Sequence, residues 1–155
     1  MKTIASVISV AMLFSLSLFD MGAKAPVKDE VKVISYNIRL IQPKDGPNEW
    51  KHRAVASPAM IKDYAPDIFG LQEAMPAQLE YLASNLPKYS YVGVGREDGV
   101  SEGEHMAIFY NTKKVVLLDW GTYWLSETPE VPSKGWDAKC KRTATWTLLQ
   151  MKDSG

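Results

Sequence analysis

The sequence predicts a mixed α/β fold built in layers. Three observations carry this. Two strand-like runs alternate with two helix-like stretches in the first half, and a series of mostly antiparallel strands follows. One early run, Asp67 to Gln72 (DIFGLQ), is almost wholly apolar, as in a sheet covered on both faces. The composition, 46% hydrophobic and 23% charged over 155 residues, excludes collagen-like, disordered and disulfide-scaffold classes. Lys+Arg and Asp+Glu balance at 18 each, which argues against a strongly basic nucleic-acid-binding module.

The chain opens as a secretory leader. Lys2 precedes an uncharged run from Ile4 to Phe19, and Ala23-Lys24-Ala25 has small residues where a signal peptidase reads. A membrane span or a buried core helix is the competing reading. The run has 16 residues, short of the roughly 20 a span needs. No Cys stands at the cleavage point, so a lipid anchor is not expected. Removing residues 1–25 leaves 130 residues, the expected domain at 26–155. Two lysines and one aspartate leave with the leader, so a net charge of zero becomes −1. The expected location is periplasmic or extracellular, with no membrane span in the mature chain. Cys140, the sole cysteine, permits no internal disulfide. No His or Asn pattern surrounds it, so a free buried or half-exposed thiol is favoured over a nucleophile.

The elements follow in order. Val31 to Tyr36 is a strand of β-branched and aromatic residues. Trp50 to Tyr64 carries a helical stripe at Val55, Met60, Ile61 and Tyr64, but Pro58 lies inside it. Either the helix begins near Ser57-Pro58 as N-cap and N1, or an earlier turn ends there. After the Asp67–Gln72 strand, Met75 to Leu86 is a helix opening on Pro76, with Leu79, Leu82 and Leu86 on one side. Tyr89 to Val94 is a strand. Met106 to Tyr110 and Lys114 to Leu118 are strands joined by a hairpin at Asn111-Thr112-Lys113. Gly121 to Leu125 and Thr143 to Gln150 are further strands, the last reading as an interior one.

Chemistry-bearing residues sit where apolar strands end. Asn37 and Arg39, in SYNIR (35–39), close the first strand at a sheet rim, where site residues gather. In isolation a turn cap at Asn37 and a solvated cation at Arg39 are the favoured explanation. Glu73 follows LQ directly, and a carboxylate there is costly unless paired or bound to a metal. It reads either as an oxygen ligand suited to Mg²⁺ or as a helix N-terminal carboxylate. Gly93 to Tyr110 holds Arg96 and a Gly-flanked acidic loop without a GxGxxG pattern. Four of the five tryptophans fall at 120, 124, 136 and 146. Core and loop packing is expected for them, ahead of clamping a ligand.

Together these segments resemble the endonuclease/exonuclease/phosphatase family, the deoxyribonuclease I-like fold. The resemblance rests on SYNIR (35–39), PDIFGLQE (66–73), GREDG (95–99), GEHMAIFY (103–110) and GTYWLSETPEVPSKGWDAKCKRTATW (121–146), in order and in register. The last block looks like the secreted bacterial members. The resemblance implies a four-layer α/β sandwich, of which this chain holds about the N-terminal half. It also implies hydrolysis of a phosphoester with Mg²⁺ or Mn²⁺. Carried residue by residue, Glu73 and Asn37 match metal and catalytic positions. Glu104 resembles the acid that orients a catalytic His. Arg39, Arg96 and Arg142 match substrate-side arginines. Arginine forks suit phosphate oxygens, and a divalent metal suits the phosphoryl group.

The family's Asn-His pair, Gly-Asp-Phe-Asn segment and terminal Asp-His pair have no match here. His52, beside Lys51 and Arg53, reads as a solvated helix residue, and His105 is a weak site candidate. The chain is therefore expected to hold the metal side of a site and to be inactive or nearly so alone, as the N-terminal part of a larger domain. Alternatives of the same fold are a non-catalytic secreted binding module, a pseudogene product, or a structural protein in which Glu73 and Asn37 only cap turns. Substrate identity stays open among nucleic acid, a sugar phosphate and a lipid headgroup. The charge of −1 weighs weakly against long nucleic acid. A monomer is expected.

Overall fold

The computed structural model describes residues 30–152, so the expected leader lies outside the described residues. Within them the architecture is mixed α/β. A four-stranded sheet has the order β1 (Val33–Asn37), β2 (Ile68–Gln72), β4 (Ile108–Asn111), β3 (Tyr89–Val92). β1 and β2 run parallel with Val33 opposite Ile68, and the other pairs are antiparallel. A second, two-stranded sheet joins β5 (Val115–Trp124) to β6 (Thr143–Met151). Between β1 and β2 lie a 3-10 segment (Pro43–Asn48) and helices α1 (Trp50–Arg53) and α2 (Ala56–Tyr64). Helix α3 (Pro76–Asn85) follows β2. No described helix is long and apolar enough to cross a membrane.

The core lies between the helices and one face of the larger sheet. Phe69 and Leu71 of β2 meet Ile61 of α2, Leu79 and Leu82 of α3, and Phe109 of β4, all buried. Phe69 stacks on Phe109 with ring centroids 4.7 Å apart. The apolar pattern of β2 predicts burial on both faces, but Ile68, Gly70 and Gln72 are only half-buried among the described residues. Only the helix-facing side of β2 is packed there.

Three further expectations need correction. The Asn111-Thr112-Lys113 turn does not make a hairpin, because β4 and β5 belong to different sheets. Asn111 Oδ1 accepts Lys113 N–H at 3.0 Å, while Thr112 N–H reaches across to the Lys88 carbonyl at 2.9 Å. The same turn chemistry serves a change of sheet as well as a reversal within one. Lys114–Leu118 and Gly121–Leu125 are not separate strands. They form the single β5, with a register shift between Leu117 and Asp119 that breaks the alternation. The α2 stripe is also displaced. Val55 and Tyr64 are exposed, and the buried side is Ser57, Pro58 and Ile61. Ser57 is not the cap: its Oγ lies 3.0 Å from Tyr36 Oη and 3.3 Å from the Arg53 carbonyl. The short α1 is the earlier turn that ends before it.

Asp67 ties the sheets. Its carboxylate accepts Lys32 N–H at 2.8 Å and Lys114 Nζ at 2.6 Å. Burial pushes its pKa up, but these donors outweigh it and hold the group below the ordinary carboxylate value. His105 is 4% exposed and pairs through its backbone with Ala74 and Gly95. Burial lowers its pKa from 6.5, against the raising effect of the Gly103 carbonyl. A group depressed in the folded state contributes stability above its unfolded pKa and loses it as pH falls. Stability to urea is therefore expected to decline as pH drops through about 6.5, and His105→Gln is expected to flatten that decline. An unchanged slope in the variant counts against this assignment.

Candidate functional site

The C-terminal ends of parallel strands β1 and β2 form one corner of the sheet. Asn37 is the last residue of β1, and its register partner Gln72 is the last of β2. Ile38, fully buried, anchors the next position, with its N–H on the Gln72 carbonyl at 3.1 Å. The chain then turns sharply on both sides. Arg39 has φ 58° and Glu73 has φ 60°, left-handed conformations that non-glycine residues adopt at a cost.

That geometry brings three of the expected residues together. Asn37 Nδ2 donates to Glu73 Oε1 at 3.0 Å, and Asn37 Oδ1 accepts Arg39 N–H at 2.8 Å. Leu40 N–H donates to Glu73 Oε2 at 3.3 Å, and Arg39 Nη1 lies 3.6 Å from the same oxygen. The Asn37 hydrogen bond holds the Glu73 carboxyl below its ordinary range against the opposing effect of burial, assisted by Leu40 and Arg39. Glu73 is thus an anion at neutral pH, 27% exposed and reachable from solvent.

Three residues absent from the sequence expectations hold this corner. Asp45, in the 3-10 segment, takes the Arg39 guanidinium in a fork, with Nε and Nη2 each 2.9 Å from a carboxylate oxygen. Gln78, fully buried in α3, donates from Nε2 to the Arg39 carbonyl at 2.9 Å and accepts Met75 N–H at 2.9 Å. Arg53 donates to the carbonyls of Ile38 at 2.7 Å, Arg39 at 3.3 Å and Asn48 at 2.6 Å. Its guanidinium lies 5.6 Å from the Trp50 ring centre. The Asp45-Gly46-Pro47-Asn48 run offered a turn signal. Nothing in the spacing of Arg53 or Gln78 marks them apart from ordinary helix surface.

Arg96 and Glu104 form a separate pair along the same rim. Arg96 Nη1 meets Glu104 Oε2 at 2.8 Å, both largely covered, and Arg96 Nε reaches Glu97 at 3.2 Å. Glu104 precedes His105, whose bridge to Ala74 sets this pair beside the residue following Glu73. The partner of Glu104 here is an arginine, not a histidine. Arg142 is exposed immediately before β6, and its carbonyl accepts Leu125 N–H at 2.8 Å. Trp124, 5% exposed, donates from Nε1 to the Arg96 carbonyl at 2.8 Å and so locks β5 to this rim. Core packing holds for Trp124, whereas Trp120, Trp136 and Trp146 are exposed. Cys140 is free and half-buried, and His52 is exposed on α1.

A mixed sheet with polar residues clustered at parallel strand ends, helices on one face and a second sheet beside it makes this an α/β protein, and the arrangement matches deoxyribonuclease I-like structures over about half of their fold. Comparison with solved structures places it among endonuclease/exonuclease/phosphatase proteins, as the sequence motifs imply. A mannosyl-6-phosphatase of Bacteroides thetaiotaomicron is 44% identical with a TM-score of 0.78, covering 81% of this chain and 48% of its own. An endonuclease/exonuclease/phosphatase of Bacteroides vulgatus is 41% identical with a TM-score of 0.78, over 81% of this chain and 48% of its own. The human nocturnin catalytic domain shares the fold alone, at 20% identity and a TM-score of 0.60. The chain thus spans about half the length of these structures and carries about half of their fold. Among curated proteins, an uncharacterized protein of Acanthamoeba polyphaga mimivirus is 33% identical over 92 residues, 57% of this chain and 34% of that protein. No family model matches the chain.

Proposed function

We propose that this chain supplies the metal- and phosphate-holding part of an exported phosphoester hydrolase acting on a small sugar phosphate. The observation that carries the reading is the corner itself, where Asn37, Arg39 and Glu73 converge on left-handed backbone. The 44% identity to a mannosyl-6-phosphatase supports the substrate class, and the leader-like residues 1–25 support export.

The donor set suits Mg²⁺ or Mn²⁺. Among the described residues no three His, Cys, Asp or Glu side chains gather as a metal site, and the side-chain oxygens that meet at the corner are those of Glu73 and the Asn37 amide. Mg²⁺ is commonly held by one or two carboxylates, with waters and phosphate oxygens completing its shell. Zinc sites are built chiefly on His and Cys side chains, and no such side chain stands at this corner among the described residues. When bound, the cation polarises the phosphoryl group. The protein's own residues then bind and orient. Asp45 occupies two of the five N–H donors of Arg39, which fixes the plane of the fork and leaves donors for phosphate oxygens.

A second reading, a binding module without turnover, is favoured by one observation. Of the chain's two histidines, His52 is exposed on α1 and His105 is buried with Nδ1 on the Gly103 carbonyl at 3.1 Å. Neither stands in the corner to activate water. That reading expects hexose phosphate to bind without release of phosphate.

Titration of the full chain with Mn²⁺, followed by calorimetry, tests the metal assignment. Glu73→Gln keeps the shape and removes the charge, and is expected to weaken Mn²⁺ at least about tenfold, roughly 1.4 kcal/mol. Equal affinity in the two proteins would remove Glu73 as a ligand.

A further inference from the structure

The segment between β1 and α1 forms a polar cleft that shares a wall with the corner. The cleft has a volume of about 330 Å³ and is lined by Arg39, Asp45, Asn48 and Arg53. Arg39 fixes how close the two sites are. Its Nη1 faces Glu73 Oε2 at 3.6 Å, while Nε and Nη2 of the same guanidinium each hold an Asp45 oxygen at 2.9 Å. Glu73 and Asp45 therefore stand at two edges of one planar group. From the corner to Asp45 is the width of that group plus one contact on each side, a span that a single hexose phosphate covers.

The cleft presents one uncommitted polar side chain. Asn48 is pinned through its backbone. Its carbonyl accepts Arg53 Nε–H at 2.6 Å, and the following N–H, that of Glu49, closes on the Gly46 carbonyl at 3.1 Å. Gly46, with φ 55°, makes the bend that sets Pro47 and Asn48 in place. Asn48 is exposed, and its amide has no hydrogen-bond partner among the described residues. A free amide on a fixed backbone is a preorganised donor and acceptor.

The rest of the lining decides the ligand. Arg53 spends N–H groups on three backbone carbonyls, and Asp45 holds the Arg39 fork, so no free fork is left in the cleft for a second phosphate. None of the four lining residues is apolar or aromatic, so a nucleobase or an acyl chain has no platform there. Hydroxyl groups fit. A carboxylate has about four acceptor sites, so Asp45 keeps some beyond the two that Arg39 takes. Asn48 adds N–H donors and an acceptor oxygen beside it. We propose that Asn48 and Asp45 form the subsite that reads the ring hydroxyls of a hexose phosphate whose phosphate lies at the Asn37–Glu73 corner. This rests on the hydrolase reading above, and it adds the residues that select the substrate.

Calorimetry on the full chain with Mg²⁺ tests it, using inorganic phosphate, mannose 6-phosphate, phenyl phosphate and adenosine 5′-monophosphate as probes. Wild type is expected to bind mannose 6-phosphate about tenfold tighter than inorganic phosphate. Phenyl phosphate, whose ring carries no hydroxyls, is expected to gain nothing. Asn48→Ala is expected to lower the sugar-to-phosphate ratio about fivefold, the worth of one hydrogen-bonding group, and to leave inorganic phosphate unchanged. Asn48→Ser, which keeps a short polar group, is expected to recover part of the loss. Asp45→Asn is expected to lower the ratio and, by releasing Arg39, to weaken inorganic phosphate as well. Circular dichroism monitors folding in each variant. A ratio near one in wild type, a ratio unchanged in Asn48→Ala, or a gain for phenyl phosphate or the nucleotide equal to that of the sugar overturns the subsite while leaving the hydrolase reading standing. Failure of inorganic phosphate to bind wild type overturns both.

Discussion

Replacing Phe69 with Ala is expected to lower the unfolding free energy by about 3–5 kcal/mol. Phe69 is fully buried at the centre of the larger sheet. It stacks on Phe109 at 4.7 Å and meets the Tyr89 ring edge-on at 5.4 Å. Truncation removes the apolar area and leaves a void that two rings on neighbouring strands cannot both fill. Small domains have roughly 5–15 kcal/mol in total, so this single change removes a large share. The measurement is the urea midpoint at constant slope, with Phe69→Leu expected to recover most of the loss. A loss below about 1 kcal/mol would show that the core does not depend on this stack.

Gln78→Leu is expected to cost about 1–3 kcal/mol and to weaken phosphate at the corner. The leucine fills similar space but leaves Met75 N–H without its acceptor and removes a donor from the Arg39 carbonyl. Arg53 still reaches that carbonyl, at the longer distance of 3.3 Å. The left-handed turn at Arg39 then has less to hold it, and the guanidinium loses its fixed approach to Glu73. A readout specific to this role is the affinity for inorganic phosphate with Mg²⁺ present, compared with Gln78→Glu, which keeps the acceptor for Met75. If phosphate affinity is the same in Gln78→Leu as in wild type, Gln78 is a packing residue and nothing more.

The parts of this site that were legible in the sequence share one property. Asn37, Arg39 and Glu73 are polar residues placed directly after apolar runs, so their position at strand ends follows from local pattern. Asp45, Arg53 and Gln78 reach the Ile38–Arg39 turn across 6 to 39 residues of chain, and such pairings leave no periodic trace. The same limit explains the elements. The strands β1 and β2 and helix α3 are set by neighbours in sequence, and their observed bounds lie within a few residues of the pattern. The change of sheet after Asn111 and the fusion of β5 depend on which distant strand is available to pair. The tryptophans illustrate the point once more, since residue type alone does not separate buried Trp124 from exposed Trp136.

The left-handed turns at Arg39 and Glu73 also bear on how this protein should be engineered. A redesign scored on folding free energy would favour Gly or Asn at both positions, because each relieves local backbone cost. Such a design would gain thermal tolerance and erase the convergence of guanidinium, amide and carboxylate. The two positions should therefore be held constant in any stabilised variant, and their unfavourable score treated as a marker of what the corner is for.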